Sequence, residues 1–163
     1  MDFGCGTGRD LEILAKRFDC VGVDLHPGLV DYAHRVRPGL DIRTGDMRTV
    51  RLRRHMDAVT CLGNSLAYLY DNDEISQAFT TFAVHARPDA LLVLCSPVAP
   101  VIRPEPARAV VGTPEGPARV TIDYEWDLRT QVNTMHRRRV LASGVVAQDE
   151  IRRRVLFPRE LEH

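Results

Sequence analysis

"DFGCGTG" (residues 2–8) follows a single methionine and places glycine at positions 4, 6 and 8. Glycine adopts positive φ at little steric cost and lets a ligand approach the backbone closely. A predicted helix follows directly, and helix N-termini suit carboxylates and phosphates. The G-x-G-x-G spacing differs from the dinucleotide fingerprint G-x-G-x-x-G, whose third glycine would fall at Arg9. The stretch therefore predicts a ligand-binding loop after a strand and disfavours a nicotinamide dehydrogenase.

Short apolar runs alternate with segments of helical periodicity up to about residue 96. The apolar runs are "CVGVDL" (20–25), "DIRTGDM" (41–47), "MDAVTCLGNS" (56–65) and "ALLVLCS" (90–96). The helical segments are the stripe Leu11, Leu14, Ala15 and Phe18, then "HPGLVDYAHRV" (26–36) and "DEISQAFTTFAVHA" (73–86). This alternation predicts an α/β fold, a three-layer α/β/α sandwich with a mostly parallel sheet covered on both faces. The loops after its strands would share one edge of the sheet.

The pattern changes after Ser96. "PVAPVIRPEPARAVVGTPEGP" (97–117) is rich in proline, which cannot donate to a β-ladder, and predicts a loop or lid. "ARVTIDYEWDL" (118–128) alternates in polarity, and "VNTMHRRRVL" (132–141) and "DEIRRRVLF" (149–157) could pair with it as antiparallel strands. We expect residues 1–97 to form a binding core with a truncated first strand. Residues 98–163 would add the proline-rich loop and a small antiparallel β extension to the same domain, ending in one helical turn at "FPRELEH".

Composition favours a soluble globular protein of one domain, because 44% of the 163 residues are hydrophobic and 27% are charged. The formal net charge is zero, which gives no general attraction to nucleic acid or to an anionic membrane. No apolar run approaches the roughly 20 residues needed to cross a bilayer, so we expect a cytoplasmic protein. The four cysteines form no C-x-x-C pair, and no metal site is expected. A homo-oligomer is compatible with the sequence.

Two aspartates lie at the carboxyl ends of the second and third predicted strands, at the edge where the glycine loop would lie. Asp24, sixteen residues after Gly8, is placed to accept hydrogen bonds from both hydroxyls of a ribose. Asp46, in "TGDM", is placed to accept one from the exocyclic amine of a purine. The alternatives are a helix cap for Asp24 and a turn former for Asp46. The glycine loop and both acids, in this order, favour a nucleoside site.

The ordered set "DFGCGTG", "GVDL", "GDM" and "DAVTCLGNSLAYL" resembles the successive motifs of class I S-adenosylmethionine-dependent methyltransferases, over residues 1–96. The resemblance implies a Rossmann-like methyltransferase fold with S-adenosyl-L-methionine as cofactor. Under it the glycines wrap the methionine part and Asp2 orients its amino group. Asp24 binds the ribose, and Asp46 with the Met47 backbone contacts adenine. The implied cofactor contacts are Asp2, Gly4, Cys5, Gly6, Gly8, Asp24, Leu25, Asp46, Met47 and Leu62.

The segment "CLGNSLAYL" (61–69) is similar to the one after the fourth strand in glycine/sarcosine N-methyltransferases and, more loosely, in amino-sugar N,N-dimethyltransferases. This likeness implies methyl transfer to a small-molecule acceptor, with an amine nitrogen favoured over an oxygen. It places Leu62, Asn64 and Ser65 beside the methionyl arm and the acceptor. Ser65 could instead cap the next helix, and Tyr68 could pack or line the pocket. Nothing in the composition favours a nucleic-acid acceptor.

An amine must be neutral to attack the activated methyl group, so a base near the acceptor would help. His136, in "TMHRRRV", is a candidate because histidine changes protonation near neutral pH, and Tyr124 and Tyr68 are the others. An exposed strand histidine without a role is the alternative for His136. The arginines at 137–139 and 152–154 could bind an acceptor carboxylate or phosphate. The alternatives are a solvated outer face or cross-strand pairs with Asp123, Glu125 and Asp127.

Only "MDF" precedes the glycine loop, whereas the first strand of the resembled fold is longer. The last two strands of that fold likewise have no candidates after "FPRELEH". We therefore expect a chain truncated at both ends, which binds the cofactor weakly by itself because a shortened central strand leaves backbone groups unpaired. The alternative to an active enzyme is a non-catalytic or partner-dependent fragment of a methyltransferase.

Overall fold

Two units make up the chain in the computed structural model, which describes residues 1–161. The first unit is Met1–Ser96, and the second comprises the residues from Pro97 onward. The boundary lies one residue before the predicted end of the binding core at residue 97. That both units belong to one domain stays a prediction.

The first unit is built on a five-stranded parallel sheet with the strand order β3-β2-β1-β4-β5. Its strands are β1 (Asp2–Phe3), β2 (Val21–Asp24), β3 (Asp41–Thr44), β4 (Met56–Cys61) and β5 (Ala86–Leu94). Its helices are α1 (Arg9–Leu14), α2 (Pro27–Val36) and α3 (Asn72–His85), and a 3₁₀ turn covers Ser65–Tyr68. The strand order reverses direction beside the central β1, which brings the loops after β1, β2 and β4 close together.

Helices cover both faces of this sheet, as the sequence predicts. Phe3 and Val23 are paired in register and share one face, where the Phe3 ring lies 4.7 Å from the Phe82 ring of α3, centroid to centroid. The opposite face at Gly22 packs against Leu11 of α1. A buried cluster continues that face into α2 and β3 and consists of Leu11, Val30, Ala33 and Ile42. Each such side chain contributes roughly 1.5–3 kcal/mol by burial, except the smaller alanine. The three-layer α/β/α arrangement is confirmed.

Two boundaries in the first unit differ from the predictions. The stripe Leu11 to Phe18 predicts a longer first helix, but α1 ends at Leu14 and Phe18 is 64% exposed. The chain must return to the sheet at Val21, which leaves only a few residues for the reversal. β5 begins at Ala86, before the predicted start at residue 90, and its pairing with β4 is irregular next to Pro88, which has no N–H to donate.

The second unit is a four-stranded antiparallel sheet with the strand order β6-β7-β8-β9. Its strands are β6 (Ala107–Thr113), β7 (Gly116–Asp127), β8 (Val132–Leu141) and β9 (Val146–Arg154). The predicted antiparallel extension after the fifth strand is confirmed. The predicted turn at "FPRELEH" is a 3₁₀ turn over Pro158–Glu160, in which the Glu160 carboxylate accepts a hydrogen bond from the Phe157 N–H at 2.8 Å. Residues 162 and 163 of that segment lie outside the described residues.

One prediction for the second unit is wrong. Residues 97–117 were expected to form a loop or lid throughout, yet β6 pairs along its whole length with β7. Four of the six prolines of this segment lie at or before Pro106, and the seven residues of β6 contain none. Those seven residues include Val110 and Val111, which favour strands. Thr113 Oγ1 donates to the Gly116 carbonyl at 2.7 Å and closes the hairpin. The prolines of this segment therefore flank β6 on both sides and do not lie within it.

Within residues 1–161 no helix is long and apolar enough to cross a membrane. The same residues contain no group of three or more His, Cys, Asp or Glu side chains arranged to hold a metal ion. The four cysteines are free thiols. Burial raises the pKa of Cys5 and that of Cys61 to about 12, so neither is a thiolate nucleophile near neutral pH.

Candidate active site

The loops that follow β1, β2, β3 and β4 converge on one cavity of about 650 Å³, called the loop cavity below. This volume lies in the range of small-molecule sites, and the position is the one where open α/β sheets bind ligands. Eight of its lining residues are among the predicted site residues, namely Gly4, Gly6, Asp24, Leu25, Asp46, Met47, Ser65 and Tyr68. The sequence-predicted glycine loop and both predicted acids therefore share a cavity.

Asp24 ties the glycine loop to the end of β2. One carboxylate oxygen accepts a hydrogen bond from the Gly6 N–H at 2.7 Å, and the other accepts one from the His26 N–H at 2.9 Å. The residue is 9% exposed, so these bonds are partly shielded from water. The first residue before α2 is His26, and it makes no side-chain capping bond. Asp24 thus orders two loops at the cavity and is not the cap of α2.

Gly4 and Gly6 meet different constraints. Gly4 has φ +72°, and a Cβ atom built on it would lie 2.3 Å from both Cβ and Oγ of Ser65. Gly6 has φ +54°, and a Cβ there would meet nothing within 4 Å. The loop after β1 therefore lies against the turn after β4 at Gly4, while at Gly6 it is open.

Ser65 joins these two loops from the other side. Its Oγ lies 3.1 Å from the Gly4 carbonyl oxygen and 2.9 Å from the Leu62 carbonyl oxygen, so the hydroxyl donates to backbone acceptors. The cap of α3 is instead Asp71, whose carboxylate accepts a hydrogen bond from the Glu74 N–H at 2.7 Å. The alternative interpretation of Ser65 as a helix cap is not observed.

Five residues predicted as cofactor or acceptor contacts in the first unit do not line the loop cavity, namely Asp2, Cys5, Gly8, Leu62 and Asn64. A Cβ atom on Gly8 would lie 2.5 Å from Ile42 Cδ1, so this glycine lets the start of α1 pack against β3. Cys5 Sγ lies against Gly22 on the sheet. Asn64 has φ +65°, and its Oδ1 lies 3.9 Å from Cys95 Sγ.

Asp2 faces a separate cavity of about 560 Å³ that is lined also by Cys20, Met56 and Arg87. Its carboxylate accepts a hydrogen bond from Thr60 Oγ1 at 2.6 Å. Burial raises the Asp2 pKa to about 6, although the Thr60 hydrogen bond opposes that change. The structure thus does not bring Asp2 to the loop cavity, and its predicted contact with a cofactor amino group stays a prediction.

An ion-pair cluster on the cavity wall was missed by the sequence reasoning. Arg48 Nη2 lies 2.6 Å from Asp46 Oδ2, and Arg48 Nη1 contacts Glu74 Oε1. The Arg48 guanidinium holds the pKa of the Asp46 carboxyl below its usual range. Glu74 follows Asp46 by 28 positions in the sequence, so no local pattern could have joined them. The other unpredicted lining residues are His26, Leu29, Gly45, Leu69 and Tyr70.

The two candidate bases in the second unit, His136 and Tyr124, lie on opposite faces of its sheet. His136 pairs with Asp123 and Glu150, whereas Tyr124 pairs with Met135, one position along each strand. The His136 ring nitrogens lie 3.5 Å from Glu125 Oε2 and 3.6 Å from Glu150 Oε2. The structure does not bring the two candidates together.

The arginines of β8 are engaged within the sheet. Arg137 and Arg139 both contact Asp149 Oδ2 at 2.6 Å, on the face opposite to His136. The Arg137 guanidinium lowers the pKa of Asp149 below its usual range. Arg137 and Arg139 thus pair with an acid on a neighbouring strand, but that acid is Asp149 of β9 and not one of the predicted partners on β7.

The family described as "Methyltransferase domain" matches residues 1–89, which is more than half of the chain. The chain belongs to this methyltransferase family. The matched residues include every residue that lines the loop cavity. The family thus accounts for the first unit up to the early part of β5.

Two curated relatives align with this chain over 95 residues, or 58% of its length. One is the dTDP-3-amino-3,4,6-trideoxy-alpha-D-glucopyranose N,N-dimethyltransferase of Streptomyces venezuelae, with 35% identity over 40% of its own length. The other is the dTDP-3-amino-3,6-dideoxy-alpha-D-glucopyranose N,N-dimethyltransferase of Streptomyces fradiae, with 37% identity over 37% of its length. The aligned part of the chain thus spans well under half of these relatives.

A solved structure is similar to this chain over both units. It is the S-adenosylmethionine-bound amino pentose methyltransferase CalS10 of calicheamicin biosynthesis from Micromonospora echinaspora, with 28% identity and a TM-score of 0.88. The superposition covers 99% of this chain and 70% of that one. The antiparallel sheet is therefore shared with that structure as well as the parallel one, and the Rossmann-like methyltransferase fold is confirmed.

Proposed function

We propose that this chain carries the S-adenosyl-L-methionine site of an enzyme that methylates an amine nitrogen of a small-molecule acceptor, with an amino sugar as the acceptor class. One observation carries the proposal: Gly6, Asp24 and Asp46, from the loops after three different strands, line one cavity. The names of the aligned relatives and of the similar solved structure, all amino-sugar methyltransferases, support the acceptor class.

The loop cavity fits an adenosyl nucleoside in size and in chemistry. Its polar side chains include the carboxylates of Asp24 and Asp46. Apolar side chains from Leu25, Leu29 and Met47 also line it, as in most small-molecule sites. The open position at Gly6 leaves the backbone accessible, because a Cβ there would occupy free space.

The residues of this chain would act by holding two reactants in line. When bound, S-adenosylmethionine supplies a methyl group already activated by its sulfonium, so the protein need not create an electrophile. Asp24 would accept hydrogen bonds from the ribose hydroxyls while it keeps the loop at Gly6 in place. Fixing such geometry is worth effective molarities on the order of 10⁵ M or more.

The acceptor amine must lose a proton, and three side chains are candidates for the base that removes it. His136 and Tyr124 face opposite sides of the antiparallel sheet, so a single bound amine can reach only one of them from that sheet. Tyr68 lines the loop cavity itself and is the third candidate. Lowering the amine pKa by burial would serve the same end.

Calorimetric titration tests the cofactor half of this proposal. We expect the chain to bind S-adenosylmethionine and its demethylated product S-adenosylhomocysteine, and to give no change in NADH fluorescence. Binding of neither compound would refute the proposal and favour a non-catalytic remnant. Preferential binding of NADH would favour a dehydrogenase.

A methyl-transfer screen tests the acceptor half. Amino sugars and their nucleotide-linked forms would be compared with the matched hydroxyl sugars, using a radiolabelled methyl group. We expect transfer to the amines only. Transfer to the hydroxyl sugars would reassign the enzyme as an O-methyltransferase, whereas binding without any transfer would favour a partner-dependent fragment.

A further inference from the structure

Arg48 occupies an unusual position for a surface arginine, because its side chain bridges two carboxylates that line the loop cavity. Its Nε lies 3.0 Å from both oxygens of Asp46, and its Nη2 lies 2.6 Å from one of them. Its Nη1 contacts Glu74. A planar guanidinium can engage one carboxylate with two nitrogens and a second with the third, which a lysine ammonium cannot do in the same geometry.

The two carboxylates belong to different parts of the fold. Asp46 follows β3, and Glu74 lies in the first turn of α3. The second oxygen of Glu74 accepts a hydrogen bond from the Tyr70 N–H at 2.9 Å. A chain of polar contacts therefore runs from Asp46 through Arg48 and Glu74 to Tyr70, and all four residues line the cavity.

The backbone of Arg48 is itself held by two hydrogen bonds. Its carbonyl oxygen accepts a hydrogen bond from Thr81 Oγ1 at 2.7 Å, and Thr81 is fully buried in α3. Its N–H donates to Asp46 Oδ1 at 2.8 Å. The guanidinium thus starts from an anchored main chain, which reduces the entropy lost when it bridges the two acids.

We propose that Arg48 is a positioning residue for the nucleoside end of the loop cavity: by bridging Asp46 and Glu74 it sets the wall formed by the loop after β3 and the start of α3. The identity of the nucleoside rests on the function proposed above. Both oxygens of Asp46 accept hydrogen bonds from Arg48. The arginine therefore determines in which direction the remaining lone pairs of this carboxylate can accept a hydrogen bond from a ligand. Arg48 thereby acts through Asp46 and Glu74.

The test compares Arg48→Met with a matched control, Arg43→Met. Arg43 makes the same kind of fork to an acid two positions earlier, with Nε 2.9 Å from Asp41 Oδ1, but it does not line the cavity. Amide hydrogen exchange of the ligand-free proteins is measured first. In Arg48→Met we expect at least tenfold faster exchange within residues 46–50 and 69–75, with a melting temperature close to that of the wild type. Arg43→Met should leave those segments unchanged.

Calorimetry with S-adenosylmethionine and with adenosine supplies the second readout. We expect Arg48→Met to lower the affinity for both compounds at least tenfold, and Arg48→Lys to restore little of it. Glu74→Gln should lower the affinity by the same factor. The double variant should bind no more weakly than either single variant. Wild-type exchange and affinity in Arg48→Met would overturn the inference. If Arg48→Met does not fold, amide hydrogen exchange and calorimetry of Glu74→Gln test the inference instead. If the wild type binds neither compound, the proposed function fails and the exchange data alone decide the role of Arg48.

Discussion

The carboxylate of Asp24 accepts a hydrogen bond from the backbone N–H of Gly6 at 2.7 Å, which joins the loops that follow two neighbouring parallel strands. The backbone strengthens the same connection, since the N–H groups of Gly4 and Cys5 both donate to the Val23 carbonyl, at 2.7 and 3.1 Å. The geometry of the glycine loop is therefore set by β2 and its terminal acid. A ligand bound by the glycine loop and by Asp24 would therefore contact two groups that are hydrogen-bonded to each other.

Asp24→Asn should weaken S-adenosylmethionine binding more than tenfold. The amide nitrogen of asparagine cannot accept a hydrogen bond, so either Gly6 or His26 would lose its acceptor. A hydrogen bond to a charged group contributes about 1.5–3 kcal/mol, which corresponds to more than tenfold in affinity. Titration calorimetry measures the change, and Asp31→Asn on the exposed side of α2 is the control. Equal affinities in the Asp24 variant and the wild type would contradict this role.

Gly4→Ala should destabilise the fold far more than Gly6→Ala. Both positions have positive φ, which costs roughly 1–2 kcal/mol for alanine. Only at Gly4 would the methyl group also collide with Ser65, at 2.3 Å, and such overpacking costs typically about 1–3 kcal/mol more. Urea unfolding measures both variants. Gly63→Ala, with φ +65° and open space, controls for the backbone cost outside the cavity. Equal stabilities of the Gly4 and Gly6 variants would show that the two loops do not pack as described.

Only one of His136→Gln and Tyr124→Phe should lower kcat in the methyl-transfer assay. The strand register places the two side chains on opposite faces of the antiparallel sheet, so they cannot both reach the nitrogen of one acceptor. Loss of a general base costs typically 10²–10⁴-fold in rate. Unchanged binding of S-adenosylmethionine checks that each variant is folded. A large loss in both variants would argue that the acceptor is bound differently, and a loss in neither would favour Tyr68 or no base.

Much of the fold follows from short-range patterns in the sequence. The apolar run at Val21–Asp24 and the alternation along Gly116–Asp127 each reflect how a strand is buried, on two faces or on one. The strand Ala107–Thr113 escaped prediction because four prolines precede it, and their effect does not extend past Pro106. The premature end of α1 depends on the distance the chain must cover to β2, which periodicity does not encode.

The residues of the candidate site also fall into two groups, those that a local pattern predicts and those that depend on contacts between distant parts of the chain. Asp24 and Asp46 could be predicted because Asp24 ends β2 and Asp46 lies two residues after β3, and parallel strands end at a common edge. Arg48 and Glu74 could not, since their contact joins a loop to a distant helix. Asp2 was assigned by resemblance, yet its carboxylate accepts a hydrogen bond from its register partner Thr60, and both residues line the separate cavity and not the loop cavity.

The four thiols should react at very different rates with an aromatic disulfide reagent at pH 8. Cys95 is exposed and should react first. Burial raises the pKa of Cys5 and of Cys61 to about 12, so their thiolate fractions at pH 8 are very small, and Cys61 is also buried. These two should react only with unfolding. Cys95→Ser should remove the fast phase. Rapid reaction of Cys5 in the folded protein would mean that the glycine loop opens readily.

Asp2 should contribute more to the stability of the folded protein in acid than at neutral pH. Comparison of the wild type with Asp2→Asn isolates this contribution. Burial raises the folded-state pKa from 3.8 to about 6, so folding favours the protonated form. Its stabilisation is complete below about pH 4, falls as the pH rises to about 6, and is flat above that. Two pKa units correspond to about 3 kcal/mol.

The neutral asparagine should keep the hydrogen bond from Thr60 and avoid the buried charge. We therefore expect Asp2→Asn to exceed the wild type in stability at pH 7, with the gap closing near pH 4. Urea unfolding at several pH values measures the gap between the two proteins. The comparison of the two proteins is needed because other carboxyls also change the stability of the wild type with pH. The pKa values of Asp41, Asp46 and Asp149 are lowered, so these residues change the stability in the opposite direction. A gap that does not change with pH would show that Asp2 is ionised without penalty in the folded protein.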